Sequence, residues 1–199
     1  MVILYEVHEN LYVNMTNRCP CSCTFCLRQT KDEMNHSGSL WLEREPSVDE
    51  VIAEFDKFDM TKYKELVFCG FGEPTERLED LLKVAAFAKE QFHIIIRINT
   101  NGLSDLIYDK DTAPMFEGLV DTISISLNTP NSEEYLKLTR SKFGIQSHEA
   151  MLRFAGNVRK YVPNVILSTV ETTISKEEEQ QCREICDKIG VTYRIRPFE

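Results

Sequence analysis

The sequence predicts a single-domain α/β protein over residues 1–199, an open, partial (βα)6 TIM-like barrel with an extra N-terminal strand. Short apolar runs alternate with amphipathic helical patterns, which is typical of βα units stacked around a parallel sheet. Six such strands are too few for a closed eight-stranded barrel, which needs about 250 residues. The hydrophobic content of 42% is sufficient for one well-packed core.

The elements follow one another as strands and helices of ordinary length. Two capping boxes, Ser47 with Glu50 and Ser175 with Glu178, each predict the start of a helix. Gly190 predicts the end of the second of these helices. Further helices are expected over 76–91, 132–138 and 147–161, and strands over 2–7, 11–16, 66–69, 93–99, 121–127, 165–170 and 191–195.

Polar side chains recur with period two along four of these strands, on one face of each. Buried parallel strands usually read as continuous apolar runs. Since helices must cover the apolar face, we expect the polar face to line a lumen that holds a polar ligand. The alternative is that these are edge strands with a solvated face. The polar positions are Tyr12, Asn14, Thr16, Arg97, Asn99, Thr122, Ser124, Ser126, Asn128, Thr192, Arg194 and Arg196.

Four of the seven cysteines lie between residues 19 and 26. Cys19, Cys23 and Cys26 form the spacing C-x3-C-x2-C. A cubane iron–sulfur cluster normally takes four thiolates, so three in one loop would leave one iron open to a substrate or cofactor. The alternative, a structural zinc site, usually uses two separated cysteine pairs. Cys21 is extra to the pattern and is interpreted as a bystander.

With Phe25 at its aromatic position, the loop resembles the C-x3-C-x-aromatic-C signature of the radical S-adenosylmethionine (radical SAM) enzymes. The runs at 14–20, 40–46 and 70–74 are similar to those of the small branch called TatD-associated radical SAM proteins. The superfamily resemblance covers nearly the whole chain. It implies a six-stranded partial barrel, a 4Fe-4S cluster on Cys19, Cys23 and Cys26, and S-adenosylmethionine (SAM) as the second cofactor.

The resemblance also implies where SAM would bind. The segment Gly70-Phe-Gly-Glu-Pro74 resembles the family's Gly-Gly-Glu-Pro motif, which binds the amino group of the SAM methionine. Glycines such as Gly70 and Gly72 allow close backbone approach, and the carboxylate of Glu73 can accept from an ammonium group. The other implied SAM contacts are Thr100, Ser126, Asn128, Ser168, Val170 and Ile195, with Phe25 near the adenine.

The chemistry implied by the resemblance is reductive cleavage of SAM to a 5′-deoxyadenosyl radical, which abstracts hydrogen from an unidentified substrate. One alternative is an activating enzyme for a glycyl-radical partner. Another is a non-catalytic metal-binding or redox-sensing module. No catalytic residue beyond the cofactor contacts is assigned. Arg97, Glu171, Arg194 and Arg196 are candidates for substrate contact or for ion pairs within the barrel.

Composition restricts the partners and the compartment. The net charge of −9 disfavours broad nucleic-acid binding, although a local basic site would be compatible with it. The resemblance implies a one-electron donor, flavodoxin or ferredoxin, and the branch name suggests association with a TatD-family hydrolase. The substrate is expected to be a protein or a small molecule.

The sequence predicts a cytoplasmic protein that has no membrane partner. No apolar run approaches the roughly 20 residues of a membrane span, and no export signal is recognisable. Seven cysteines in such a chain indicate reduced thiols rather than disulfides. Cys69, Cys182 and Cys186 are expected to be buried, packed thiols.

Overall fold

The structure is a computed structural model that describes residues 1–29, 31–33 and 37–197. Contacts within the chain divide it into two compact units. Unit 1 comprises residues 1–19, 25–99 and 119–121, and unit 2 comprises residues 20–24, 100–118 and 122–199. The expectation of one domain over 1–199 therefore stays a prediction. In the described ranges, seven β-strands alternate with six α-helices.

Unit 1 is built on four strands and two helices. Strands β1 and β2 form an antiparallel hairpin, whereas β2, β3 and β4 are parallel neighbours. The sequence predicted each of these elements, and where both ends were predicted they differ from the structure by no more than three residues. The elements are β1 (Leu4–Val7), β2 (Asn10–Val13), α1 (Val48–Glu54), β3 (Glu65–Phe68), α2 (Leu78–Phe92) and β4 (Ile95–Thr100).

The two helices of unit 1 begin differently. The predicted capping box starts α1, because the Ser47 hydroxyl accepts from the Glu50 N–H and the Glu50 carboxylate accepts from the Ser47 N–H. Helix α2 starts two residues later than predicted, since Pro74–Arg77 forms a 3-10 turn first. Its expected apolar face is buried: Leu78, Leu81, Leu82, Ala85 and Ala88.

Unit 2 contains three parallel strands, β5 (Thr122–Ser126), β6 (Asn164–Val170) and β7 (Thr192–Arg196). Its helices are α3 (Ser104–Tyr108), α4 (Ser132–Thr139), α5 (Gln146–Val158) and α6 (Lys176–Ile189). Helix α3 was not predicted. The capping box at Ser175 and the left-handed Gly190 (φ 80°) bound α6 as predicted.

The strand registers confirm two faces of opposite character. Leu66 aligns with Ile96 and Phe68 with Ile98 in unit 1, and all four side chains are fully buried. The alternate positions carry the polar residues Glu65, Arg97 and Asn99, together with Val67 and Ile95, because successive side chains of a strand point to opposite faces. Among the described residues, no helix is both long and apolar enough to cross a membrane.

Candidate functional site

The cysteine segment provides three thiols at the predicted positions. The side chains of Cys19, Cys23 and Cys26 are all partly exposed. Within the described ranges, no group of three His, Cys, Asp or Glu side chains is arranged to hold a metal ion. The donor chemistry of these thiols suits an iron–sulfur cluster. Because the described arrangement of side chains shows no such site, their assignment as ligands stays a prediction.

Backbone hydrogen bonds fix the middle of this segment within unit 2. The N–H groups of Ser22 and Thr24 donate to the carbonyls of Thr139 and Leu138, at 2.9 Å each. These carbonyls belong to the last turn of α4, where helical C=O groups have no partner within the helix. The end of α4 thus holds the loop on both sides of Cys23.

The run before Cys19 lies directly against the glycine motif, within unit 1. The Glu73 N–H donates to the Arg18 carbonyl at 2.7 Å. A β-carbon at Gly72 would lie 2.2 Å from the Thr16 carbonyl oxygen and 2.7 Å from that of Arg18. Only glycine fits this approach, so Gly72 has a steric role as well as the one implied by resemblance.

The Glu73 side chain is buried in the loop after β3. Its Oε1 accepts from the Thr75 N–H at 3.1 Å and from the Thr75 hydroxyl at 2.8 Å. These bonds cap the Pro74–Arg77 turn. They also hold the carboxylate in one orientation, since a buried charge needs hydrogen-bond partners.

The Thr100-Asn-Gly102 segment ends β4 in the predicted turn, with Gly102 at φ 75°. The Thr100 hydroxyl accepts from the Gly102 N–H at 3.0 Å, and the side-chain oxygen Oδ1 of Asn101 accepts from the Leu103 N–H at 3.0 Å. The Asn101 amide lies 3.9 Å from the sulfur of Cys21, which is buried. Cys21 is thus a packed residue of the loop, and its interpretation as a bystander to the ligand pattern stays a prediction.

In unit 2, Ser126, Asn128 and Ser168 lie together at the ends of β5 and β6. Ser126 aligns with Ser168, whose carbonyl accepts from the N–H groups of Leu127 and Asn128 at 2.9 and 3.2 Å. Asn128 has φ 65°, in the left-handed region that asparagine tolerates better than most residues. Three of the implied SAM contacts are therefore neighbours.

The remaining SAM contacts implied by the resemblance do not all lie on the same face of the strands. Val170 follows Ser168 on the same face of β6, because side chains alternate along a strand. Ile195 aligns with Thr169, on the opposite face from Ser168 and from Arg194. Its side chain therefore does not join the polar face. Phe25, in unit 1, is exposed.

The arginine candidates separate into two kinds of contact. Arg97 forms an ion pair with Glu65 at 3.0 Å and donates to the Tyr12 hydroxyl at 3.5 Å. Burial raises the pKa of Tyr12, although Arg97 opposes the shift. Arg97 thus matches the ion-pair alternative. In unit 2, Arg194 aligns with Ser168 and donates to the Ser124 hydroxyl at 3.5 Å.

Glu171 and Arg196 meet through the backbone. The Glu171 N–H donates to the Arg196 carbonyl at 2.8 Å, and the Glu171 side chain is exposed. Arg196 lies on the same face of β7 as Arg194, aligned with Val170. The described contacts assign neither side chain to a substrate.

The other cysteines were predicted to be packed thiols. Cys182 and Cys186 of α6 are fully buried, which confirms the prediction, and burial raises the pKa of each to about 12. The prediction for Cys69 was wrong, because this residue is only half-buried. It follows β3 at the polar face, where its carbonyl accepts from the Tyr5 hydroxyl at 3.1 Å.

The profile of the radical SAM superfamily matches residues 13–189. This chain belongs to the radical SAM superfamily. The family uses a 4Fe-4S cluster and SAM, so both predicted cofactors are confirmed at that level. One solved member, Streptococcus suis SuiB bound to S-adenosylmethionine, has a TM-score of 0.66 at 14% identity, over 94% of this chain and 40% of that one. This similarity confirms the predicted fold class.

Two curated relatives are named GTP 3′,8-cyclase and probable GTP 3′,8-cyclase. The protein from Corynebacterium glutamicum is 31% identical over 142 residues, which cover 68% of this chain and 35% of the relative. The protein from Thermococcus kodakarensis is 26% identical over 193 residues, which cover 96% of this chain and 57% of the relative. The radical SAM chain described here thus spans between about a third and just over half of these relatives.

Proposed function

We propose that this chain is the core of a radical SAM enzyme, with Cys19, Cys23 and Cys26 as ligands of a 4Fe-4S cluster. The observation that supports this most directly is the 2.7 Å bond from the Glu73 N–H to the Arg18 carbonyl. It joins the residue before the first cysteine to the segment that resembles the family's SAM motif. A thiolate loop and a ligand-binding glycine turn in direct contact suit a metal-bound organic cofactor.

Each residue has a role that its contacts support. The fixed carboxylate of Glu73 would accept from the SAM ammonium, and Gly70 and Gly72 would let the ligand approach the backbone. When bound, the cluster and SAM supply a 5′-deoxyadenosyl radical that abstracts hydrogen from the substrate. The protein orients SAM and excludes water. In unit 2 the proposed contacts are Ser126, Asn128 and Ser168, with Thr100 at the end of β4 and Val170 at the end of β6. Ile195 is left out of this proposed set because it lies on the opposite face of β7.

The proposed partners are a flavodoxin or ferredoxin as electron donor, and a protein or small molecule as substrate. The net charge of −9 supports these substrates over nucleic acid. We place the chain in the cytoplasm, which its content of seven cysteines without a recognisable export signal supports.

We also assign the chain to the TatD-associated branch, on the runs at 14–20 and 40–46. The Asn14 and Asn17 side chains of the first run donate to the Leu40 and Leu42 carbonyls of the second. Association with a TatD-family hydrolase follows from this assignment. Copurification of such a hydrolase with the tagged chain, from cells that make both at native levels, would support the assignment. Absence of the hydrolase from such a preparation would count against it.

The test of the proposed chemistry is anaerobic. The chain is reconstituted with iron and sulfide, SAM and dithionite are added, and 5′-deoxyadenosine is quantified. We expect product from the unaltered chain and from Cys21→Ala, and none from Cys23→Ala, since Cys21 lies in the same loop but outside the ligand spacing. A verified, reducible cluster that forms no product in the unaltered chain, or equal product from both variants, would contradict the proposal.

A further inference from the structure

We propose that Glu45 is a positioning residue, which fixes the start of the cysteine loop against the glycine motif. The proposal rests on the proposed function, because it concerns the geometry of the same cofactor site. Its basis is the segment 40–46, which the sequence singled out but to which it gave no role. All residues involved belong to unit 1.

The Glu45 carboxylate joins two residues of the run before Cys19. Oε1 accepts from the Thr16 hydroxyl at 2.5 Å and from Arg18 Nε at 2.7 Å, and Oε2 accepts from Arg18 Nη2 at 3.2 Å. The contact to Arg18 is a bidentate, charge-assisted pair, which fixes direction as well as distance. Partial burial would raise the pKa of Glu45, but the bonds from Arg18 and Thr16 hold it below its usual range.

The opposite side of the same run contacts the glycine motif. The carbonyls of Thr16 and Arg18 occupy the space beside Gly72, and the Arg18 carbonyl accepts from the Glu73 N–H. Residues 16–18 are thus held between the Glu45 carboxylate and Gly72. A change at Glu45 would be transmitted through Arg18. This residue directly precedes Cys19, and its carbonyl accepts from the Glu73 N–H.

Three further side chains hold the 40–46 segment in place. The Asn14 amide donates to the Leu40 carbonyl at 2.8 Å. Asn17 binds Leu42 twice, donating to its carbonyl at 2.7 Å and accepting from its N–H at 3.1 Å. Arg77 donates to the Pro46 carbonyl at 2.6 Å. The segment is therefore a fixed support, and Glu45 is its charged contact with residues 16 and 18.

This arrangement predicts a change in the site without loss of the fold. A partly exposed ion pair contributes little to folding. Cofactor geometry, in contrast, is sensitive to displacements of about 1 Å. Loss of the Glu45 charge should therefore alter how Cys19 and Glu73 face the cofactors, while the rest of unit 1 keeps its packing.

The test compares Glu45→Gln with Arg44→Gln. Arg44 is the matched control, since it lies in the same segment but forms its ion pair with Glu50. Two readouts besides activity are used. One is the alkylation rate of Cys19 in the cluster-free chain, followed by mass spectrometry. The other is the change that SAM causes in the electron paramagnetic resonance spectrum of the reduced cluster, with the SAM dissociation constant taken from its titration.

For Glu45→Gln we expect faster alkylation of Cys19, an altered SAM-induced spectrum and roughly tenfold weaker SAM binding. The melting temperature should stay within a few degrees, and Arg44→Gln should match the unaltered chain in all readouts. If Glu45→Gln does not fold, Thr16→Val removes one of the three bonds and should change the same readouts to a smaller extent.

The two proposals fail in different ways. If the unaltered chain forms no 5′-deoxyadenosine but Glu45→Gln alone speeds the alkylation of Cys19, positioning is supported and the proposed function is not. If the unaltered chain forms product while Glu45→Gln and Arg44→Gln agree in alkylation, spectrum and SAM affinity, the role of Glu45 is overturned and the proposed function stands.

Discussion

The carboxamide oxygen of Asn14 occupies the space that a side chain at Gly70 would need: an ideal β-carbon there would lie 2.1 Å from it. Asn14 is fully buried and donates to the carbonyls of Val2 and Leu40 at 3.1 and 2.8 Å. Its side chain cannot move without breaking these bonds. Gly70 is therefore required by a neighbour in the fold, in addition to its proposed role in SAM binding.

The first prediction concerns this contact. Gly70→Ala should lower the free energy of unfolding by about 1–3 kcal/mol, because overpacking must displace Asn14. Urea denaturation measures the effect. Gly156→Ala in α5 is the control, since its β-carbon would meet Ile189 of α6 at an ordinary 3.6 Å. This substitution should be neutral or stabilising. Equal stability of Gly70→Ala and the unaltered chain would contradict the steric argument.

The second prediction concerns the buried ion pair of the polar face. The side chains of Arg97 and Glu65 are 12% and 27% exposed. Glu65→Gln should lower the free energy of unfolding by about 1–3 kcal/mol, since it leaves a largely buried guanidinium without its carboxylate. Glu9→Gln breaks a pair with Lys64 in which both side chains are 69% exposed, and it should have no measurable effect. Similar stability losses for the two variants would show that burial does not decide the outcome.

The third prediction concerns the reactivity of the thiols. In the native, cluster-free chain, iodoacetamide should label Cys19, Cys23 and Cys26, which are partly exposed, and spare Cys182 and Cys186, which are fully buried. Peptide mass spectrometry separates the two groups. The buried pair should react only after denaturation. Labelling of Cys182 or Cys186 at the rate of the loop cysteines would contradict the packing of α6.

The fourth prediction is a loss of stability at alkaline pH. Burial raises the pKa of Cys182 and Cys186 from 9.0 to about 12, so the folded state keeps both protons after the unfolded state has lost them. The resulting stabilisation is complete below about pH 9 and is lost as pH rises toward 12. At pH 10 the loss should be about 1–3 kcal/mol by urea denaturation. The double variant Cys182→Ala/Cys186→Ala should be less stable at pH 7 and should show a smaller alkaline decrease.

The fifth prediction uses Trp41, the single tryptophan of the chain. Its ring lies 5.2 Å from that of Phe71 in an edge-on arrangement, beside the proposed SAM segment. SAM should therefore change the tryptophan emission in a saturable way, whereas ATP, which lacks the methionine group, should not. An unchanged emission while equilibrium dialysis detects bound SAM would place the ligand elsewhere.

The order of strands and helices could be predicted because it depends on local signals. Period-two alternation marked the polar and apolar faces of β5, and side-chain capping marked the start of α6. The start of α2 was misplaced, because Glu73 caps a 3-10 turn before the helix. Helix α3 was missed because its five residues are too few to show a helical period.

The site could be predicted only in part. The resemblance identified which residues to examine, and the register shows Ser126 and Ser168 as neighbours. The contacts of Asn14 and Asn17 with residues 40 and 42 lie about 25 positions apart in the chain, and such pairings leave no local pattern. The side of the strand on which Ile195 lies depends on its pairing with β6, which one strand's sequence does not reveal.

The hairpin strand β1 has a consequence for handling the protein. It pairs with β2, so that the backbone N–H and C=O groups of residues 10–13 on that side of β2 are not available to another strand. An exposed strand edge next to the apolar side chains of Leu11 and Val13 would be a template for other chains to add to. A chain that lacks residues 1–8 should therefore aggregate more readily during purification than the unaltered chain.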